Sequence, residues 1–446
     1  ESGSGKTTLS LQFLLEGARR GEKSLYIGTA ETEGEIRYLA DSHGWSLEGV
    51  TLFHHKAEEE ESMLDQTVFH PAEVDLPKTM ENILSVVEKE NPDRLVIDSL
   101  TEIRLLAREP HWYWKQLLLI KNFFMHRDCT VLLTEIPTGE FTSSIHSIIH
   151  GKIVLQHTIP GYGPDRRRIR INKIQGIQYA TGFHDYRISK GGMCCYPRLV
   201  ASHHRHVFSP RTVSAGSEEL DAFLGGGLDV GTSILFTGPS GSGKSLLASQ
   251  CAAASAERGE KASMYIFDER IQTLLQRSSS VGLELEKYYN EGLIAVHQID
   301  PAEMTPGEFS FLVKQEIDTG TKMVAIDSLN GYAYAMPEER FLSLHLHELS
   351  SFLNQMEVTT IFIMSTRTFL SGSSTIPFDV SYIADTVLTH QYVEVEGATE
   401  KAISVFKRRS GLHDTRLRKF IITDRGITVG EPVYTNGFSG KGGPAN

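Results

Sequence analysis

The chain carries one short glycine-rich segment twice, and this duplication constrains its fold more than any other feature. The segment Ser2-Gly3-Ser4-Gly5-Lys6-Thr7 returns as Ser240-Gly241-Ser242-Gly243-Lys244-Ser245, and 238 positions separate the two lysines. Solenoid repeats span only about 20 to 50 residues, so a period this long indicates a duplicated domain. We therefore expect two homologous domains.

Two further echoes support the duplication. Glu31 and Glu269 each lie 25 residues beyond the lysine of their own half. Residues 94–100 are matched by residues 323–329, and both segments place apolar residues before an aspartate, Asp98 or Asp327. Because these features recur in the same order, we expect each half to build the same kind of site.

The expected division of the chain follows from the repeat and from polar stretches. We predict a first domain over residues 1–199, a linker over 200–212, a second domain over 213–433 and a flexible tail over 434–446. The three histidines of residues 203–206 could suggest a metal site, but they lack the paired spacing of zinc ligands, which favours a solvated linker. Because Glu1 already lies inside the first loop, we expect an opening strand to precede it.

Each half alternates helical and strand patterns. Apolar residues recur at helical spacing after Lys6 and after Lys244. Short apolar runs lie at residues 25–27, 95–97 and 131–133, and again at 264–267, 324–326 and 361–364. Continuous apolar runs between helices are typical of parallel strands covered on both faces. The predicted fold is therefore α/β, with a mainly parallel, twisted sheet and helices on both faces in each domain.

Composition narrows the function. The net charge of -12 opposes tight binding to nucleic acid, because phosphate neutralisation by Lys and Arg supplies most non-specific affinity. The basic run at residues 166–170 could be a partner contact, but its Arg-Ile alternation also suits a strand. The cysteines Cys129, Cys194, Cys195 and Cys251 form no C-x-x-C pair. We expect a cytoplasmic protein without a membrane role.

The duplicated segment has the chemistry of a P-loop that binds ATP. In the second half it reads Gly238-Pro239-Ser240-Gly241-Ser242-Gly243-Lys244-Ser245-Leu246, between an apolar run and a helix. Glycines let backbone N–H groups face phosphate oxygens, Lys244 neutralises the β and γ phosphates, and the Ser245 hydroxyl binds Mg²⁺. Residues 2–8 provide the same groups in the first half, where Thr7 is the predicted Mg²⁺ ligand and Thr8 follows it.

Carboxylates after the strands complete the predicted sites. Asp98 and Asp327 end apolar strands and are expected to hold Mg²⁺ through water. ATP hydrolysis also needs a carboxylate that orients the attacking water, and the candidates are Asp268 and Glu269 in the second half and Glu31 in the first. An exposed acidic strand end remains the alternative interpretation of these three residues.

The motifs resemble RecA-like ATPases, and they resemble the KaiC family more closely and over nearly the whole chain. Residues 214–228 look like the family's approach to its P-loop, and residues 392–414 look like the end of its second domain. The resemblance implies that Lys407 and Arg409 reach the ATP of the adjacent subunit, in a ring whose expected form is a hexamer. Lys173 corresponds in the first half, but Gln175 stands where the family carries Arg, and a neutral amide stabilises transition-state charge less well.

The same resemblance suggests an autokinase. Ser381 matches the first of two adjacent phosphoacceptors in the family, and Tyr382 replaces the second. A tyrosine hydroxyl lies farther from the backbone than a threonine hydroxyl and should miss the in-line position that phosphoryl transfer requires. We expect weak phosphorylation of Ser381 alone, and a strand residue packed at a subunit interface is the alternative.

Three functions remain open from the sequence. The first is an ATP-hydrolysing ring that acts as a switch or timer, with protein signalling partners. The second is a RecA-type DNA-dependent ATPase, which would bind single strands in a salt-sensitive way. The third is a scaffold that binds ATP to control assembly and scarcely hydrolyses it. The acidic charge balance favours the first.

Overall fold

The computed structural model describes residues 2–54, 71–107, 110–136, 148–201, 211–300, 302–336, 341–366 and 382–434. Two compact units divide the chain. The first comprises residues 1–159 and 165–197, and the second comprises residues 160–164 and 198–446.

The first unit contains five helices and eight strands among its described residues. The helices are α1 (Lys6–Arg19), α2 (Glu33–His43), α3 (Pro71–Glu90), α4 (Leu100–Ala107) and α5 (Pro110–Phe124). The strands are β1 (Ser24–Gly28), β2 (Val50–His54), β3 (Arg94–Asp98), β4 (Thr130–Leu133), β5 (Gly151–Thr158), β6 (Arg166–Ile174), β7 (His184–Ser189) and β8 (Gly192–Tyr196). The Arg-Ile run thus forms strand β6.

The second unit repeats this order with added strands. Its described helices are α6 (Glu218–Phe223), α7 (Lys244–Glu257), α8 (Ile271–Ser279), α9 (Leu285–Asn290), α10 (Pro306–Asp318), α11 (Leu329–Ala335) and α12 (Leu342–Gln355). Its described strands are β9 (Thr212–Val213), β10 (Leu228–Asp229), β11 (Ser233–Gly238), β12 (Lys261–Ile266), β13 (Ile294–Gln298), β14 (Thr321–Asp327), β15 (Thr359–Ser365), β16 (Thr386–Val395), β17 (Ala398–Arg408), β18 (Arg418–Thr423) and β19 (Gly426–Pro432).

A nine-stranded sheet organises the second unit, in the order β13-β12-β14-β15-β11-β16-β17-β18-β19. The six neighbouring strands from β13 across to β16 are parallel. The remaining pairs, from β16 across to β19, are antiparallel. The predicted strands at residues 264–267, 324–326 and 361–364 fall on β12, β14 and β15, which confirms the mainly parallel sheet. The carboxyl ends of parallel strands lie along one edge of the sheet, and α/β folds bind their ligands at that edge.

The first unit builds two separate sheets. Strands β2-β1-β3-β4 are parallel, and strands β5-β6-β7-β8 are antiparallel. In the second unit β11 joins β15 to β16, and in the described part of the first unit no strand joins β4 to β5 in that way. The carboxyl ends of β1 and β3 still meet at one edge.

The helices after the two P-loops differ in how they are buried. Helix α1 is amphipathic, with Leu11 and Leu14 fully buried and its last residue, Arg19, exposed. Helix α7 is small-residue-rich, and eleven of its fourteen residues are buried. Its short side chains allow close packing against β12 and β14, so this helix forms part of the core. No helix among the described residues is long and apolar enough to cross a membrane.

Candidate nucleotide and magnesium sites

The P-loop of the second unit links the end of β11 to the start of α7. Gly241 and Gly243 have φ angles of 77° and 100°, in the left-handed region that favours glycine. A Cβ atom on Gly243 would lie 2.5 Å from the Phe420 ring, so packing also requires glycine there. The loop therefore turns tightly into the helix N-terminus, where unpaired N–H groups favour an anion.

Lys244 is the buried cation of this loop. Its side chain is 5% exposed, and its Nζ donates to the carbonyl oxygens of Gly238 and Pro239 at 2.8 and 2.6 Å. Burial lowers the pKa of Lys244 to about 8. A desolvated ammonium held by carbonyl oxygens gains most from an anion, so the loop fits a phosphate group.

Aromatic side chains support the loop from behind. The Tyr392 hydroxyl donates to the carbonyl oxygen of Ser240 at 3.3 Å. The His390 ring is 2% exposed and lies 4.9 Å from the Phe420 ring, edge to face. Burial, and then the Lys244 charge, lower the pKa of His390 to about 3, so the imidazole is neutral. It therefore adds no positive charge beside Lys244.

The predicted magnesium ligands of the second unit lie together. Asp327 ends β14, and the hydroxyl of Ser245, in the first turn of α7, interacts with the Asp327 carboxylate. Desolvation raises the pKa of Asp327 to about 6 against the opposing effect of the Ser245 hydroxyl, and the charges of Glu269 and Asp268 raise it further. No group of three or more His, Cys, Asp or Glu side chains in the described chain could hold a metal alone. The pair fits Mg²⁺, which binds through one or two protein groups together with phosphate oxygens.

The two acidic residues after β12 have different partners. Asp268 accepts a hydrogen bond from the Ser328 hydroxyl at 2.8 Å. Glu269 accepts from Arg277 through both of its oxygens, at 2.9 and 2.8 Å. The sequence treated these residues as equivalent candidates, whereas the structure engages both oxygens of Glu269 in one ion pair.

The P-loop of the first unit has the same backbone shape. Gly3 and Gly5 have φ angles of 70° and 80°, and Gly5 precedes α1, which begins at Lys6. Ser4 is fully buried, and its carbonyl oxygen accepts from the Tyr186 hydroxyl at 2.5 Å. Thr8 is buried in the helix. Ser2 lies where Ser240 lies in the second unit, and its carbonyl oxygen is 3.4 Å from His157 Nδ1.

The polar groups around the first site are connected differently. The Thr7 hydroxyl points to Glu31, with 3.5 Å between Oγ1 and Oε1. Burial, followed by the charge of Asp98, raises the pKa of Glu31. Asp98 accepts from the Tyr26 hydroxyl at 3.2 Å and from the Thr134 hydroxyl at 2.5 Å. The structure thus brings Thr7 to Glu31, while Asp98 has two hydroxyl donors that were not predicted from the sequence.

The residues expected to reach a neighbouring subunit contact their own chain. Lys407 Nζ donates to the Ala384 carbonyl oxygen at 2.7 Å, and Lys173 Nζ donates to the Ile149 carbonyl oxygen at 2.9 Å. Arg409 donates to Asp385 Oδ1 at 3.0 Å and keeps 55% of its side chain exposed. Ser381 lies outside the described residues.

Comparison with known proteins decides the family. A family model described as "ATPase: KaiC" matches residues 1–200 and again residues 213–434. The chain belongs to the KaiC ATPase family. KaiC-type domains therefore fill both halves, and the two tandem RecA-like domains predicted from the repeat are confirmed.

Full-length relatives agree with this assignment. The circadian clock oscillator protein KaiC of Picosynechococcus sp. is 27% identical over 438 residues, which cover 96% of this chain and 84% of the relative. KaiC of Synechococcus elongatus is 27% identical over 439 residues, covering 96% and 83%. The circadian clock protein KaiC3 of Synechocystis sp. is 26% identical over 443 residues, covering 97% and 86%.

Three residues of the sites were not predicted from the sequence, namely Tyr26, Thr134 and Arg277. A residue-by-residue comparison of the KaiC repeats gives a signal for two of them. The offset of 238 that relates the P-loop lysines places Met264 opposite Tyr26 and Leu39 opposite Arg277. A polar side chain in one repeat and an apolar one in the other marks a difference between otherwise matched sites.

Proposed function

We propose that this chain binds ATP with Mg²⁺ at both P-loops and hydrolyses it chiefly at the second. The carrying observation is the cluster at the end of β14, where the Ser245 hydroxyl and the buried Lys244 both interact with Asp327. The charges of Asp268 and Glu269 also act on Asp327. The candidate residues for phosphate binding, Mg²⁺ binding and water activation therefore lie together at the end of β14. Such convergence is what ATP hydrolysis requires.

Each residue has a distinct proposed role in the second site. Mg²⁺, when bound, would neutralise part of the phosphate charge. Lys244 and the loop N–H groups bind and orient the phosphate chain, and Ser245 and Asp327 hold the metal. Asp268 orients the attacking water and takes its proton, since Glu269 is held by Arg277 through both oxygens.

The first site is proposed to bind nucleotide and to turn it over more slowly. Ala30 stands where the second half has Asp268, which leaves Glu31 as the water-orienting candidate. Gln175 stands where the family carries Arg, and an amide cannot supply the charge of a guanidinium to a transition state. Binding does not depend on either of these groups.

The chain is further proposed to act as a nucleotide-driven switch or timer in a ring of identical subunits. Relatives along the whole chain are named as circadian clock proteins, and this supports a timing or signalling role with protein partners. Lys407 and Arg409 are the residues proposed to complete the neighbour's site. Weak autophosphorylation at Ser381 belongs to the same proposal.

Phosphate release from the full chain tests this function. We expect Mg²⁺-dependent turnover that Lys244→Ala reduces strongly and Lys6→Ala reduces less. Single-stranded DNA should leave the rate unchanged at physiological salt, given the net charge of -12. Stimulation by DNA would favour a RecA-type motor, and ATP binding without turnover would favour a scaffold.

A further inference from the structure

Asp98, the proposed magnesium aspartate of the first site, is held by hydroxyl groups from two other parts of the sheet. Tyr26 in β1 donates to Oδ2 at 3.2 Å, and Thr134, directly after β4, donates to Oδ1 at 2.5 Å. The side chains of Tyr26, Thr134 and Asp98 are 0%, 7% and 8% exposed. Both carboxylate oxygens are thus bound by buried donors.

The second site holds its aspartate in another way. Tyr26 pairs in register with Val96, and Met264 pairs in register with Ala325, so Met264 takes the place of Tyr26 beside Asp327. The β15 residue in register with Asp327 is Ile363, which is apolar. The hydroxyl that interacts with Asp327 is that of Ser245, from the P-loop helix itself.

These two arrangements have different consequences for a metal. An aspartate at a strand end can rotate about its side-chain torsions, and hydrogen bonds from fixed neighbours select one orientation. Each carboxylate oxygen has two lone pairs, so one donor per oxygen leaves capacity for a metal-bound water. Donors of this kind orient metal-binding carboxylates, and their removal costs metal affinity.

We infer that Tyr26, together with Thr134, is a positioning residue that holds Asp98 in the orientation in which the first site takes up Mg²⁺ with ATP. This inference rests on the proposed nucleotide binding at the first P-loop. The first site thereby binds nucleotide in a Mg²⁺-dependent way. Its hydrolysis is a separate matter, since Glu31 is the one candidate there for orienting water. The hydroxyl of Tyr26, and not its ring, carries this role.

The test measures the gain in ATP affinity that Mg²⁺ gives to the first site. A fluorescent ATP analogue is titrated into the full chain carrying Lys244→Ala, once with Mg²⁺ and once with EDTA. Adding Tyr26→Phe removes one oxygen and keeps the buried ring. We expect the gain from Mg²⁺ to fall by about tenfold while the affinity in EDTA stays unchanged.

The matched control is Tyr265→Phe, which deletes another fully buried hydroxyl one position along the homologous strand. Tyr265 stacks on His297 and lies edge to face with Phe309. It lies on the face of β12 opposite to Met264, the residue that corresponds to Tyr26. Tyr265→Phe should leave unchanged the gain in ATP affinity that Mg²⁺ gives. Thr134→Val should lower that gain, as Tyr26→Phe does.

Several outcomes would contradict the inference. An unchanged gain from Mg²⁺ in Tyr26→Phe would overturn it, and so would an equal loss of affinity with and without Mg²⁺, which would indicate a packing role alone. Absence of binding in the Lys244→Ala parent, with an intact unfolding transition, would instead contradict nucleotide binding at the first P-loop. That result would remove the premise and the inference together.

Discussion

Arg277 donates to both carboxylate oxygens of Glu269, across 2.9 and 2.8 Å, and so separates the role of Glu269 from that of Asp268. A carboxylate bound in this way at two points has a fixed orientation and less freedom to accept a proton from water. Asp268 accepts from the Ser328 hydroxyl through one oxygen.

We therefore expect Asp268→Asn to lower the rate of phosphate release by about 100-fold or more, as removal of a general base does. Glu269→Gln should lower the rate by a much smaller factor. Single-turnover hydrolysis in the full chain measures both. A large loss in Glu269→Gln with near-normal activity in Asp268→Asn would reverse the two assignments.

Lys244 should be essential for nucleotide binding at the second site. It is the buried cation of the loop, so Lys244→Ala removes the charge that compensates the phosphates. Isothermal titration should show the nucleotide bound per chain falling by half. Lys261→Ala is the control, because that lysine contacts the Thr319 carbonyl oxygen elsewhere in the same unit. Unchanged stoichiometry in Lys244→Ala would refute the assignment.

Magnesium binding at the second site should weaken in acid. Burial raises the pKa of Asp327 to about 6, so below that pH the carboxyl group holds a proton that Mg²⁺ must displace. With Lys6→Ala reporting the second site, we expect the gain in ATP affinity from Mg²⁺ to fall by up to about tenfold per pH unit below pH 6. A gain that stays constant down to about pH 5 would contradict the role of Asp327.

The raised pKa of Asp327 affects the stability of the fold in the opposite direction: acid weakens Mg²⁺ binding but favours the folded state. The pKa of Asp327 is raised on folding from 3.8 to about 6, so its contribution to the free energy of unfolding is fully present below the lower value. It is lost as the pH rises through about 6. Asp327→Asn should therefore flatten this part of the stability profile, as measured by urea unfolding across that pH range.

Ring assembly should depend on nucleotide and on Arg409. The Arg409 side chain is exposed and bound to Asp385 and to the Tyr382 carbonyl oxygen of its own chain, so a neighbour's phosphate must replace these partners. Sedimentation should show a ring-sized particle with Mg²⁺ and ATP, and fewer rings in Arg409→Ala. Arg425→Ala, in the exposed turn between β18 and β19, should assemble normally. A monomer at saturating ATP would exclude the ring.

Ser381 should be the site of any self-phosphorylation. We expect mass spectrometry of the full chain incubated with Mg²⁺ and ATP to find a small phosphorylated fraction at Ser381 and none at Tyr382. The Lys244→Ala chain should carry none. An assembled, ATP-hydrolysing sample without phosphate at Ser381 would leave an ATPase that lacks autokinase activity.

Much of the fold was predictable because it depends on local patterns and on the repeat. The apolar run that ends at Asp327 forms β14, and the glycines around Lys244 adopt the backbone that a P-loop requires. The hydrogen bonds between the side chains of the sites were not predictable in this way. Tyr26, Asp98 and Thr134 meet because three strands are neighbours in one sheet, and no local spacing encodes which buried hydroxyl reaches which oxygen.

The order of strands in the large sheet has a mechanical consequence. Strand β11, which carries the second P-loop at its end, pairs with β16, and Val387 of β16 pairs with Lys407 of β17. Two consecutive hydrogen-bonded ladders, with no flexible loop between them, connect the phosphate loop to Lys407. In a ring, Lys407 would reach the neighbour's nucleotide from the same rigid sheet that carries its own subunit's P-loop. A displacement of that sheet would therefore move Lys407 relative to the neighbour's nucleotide.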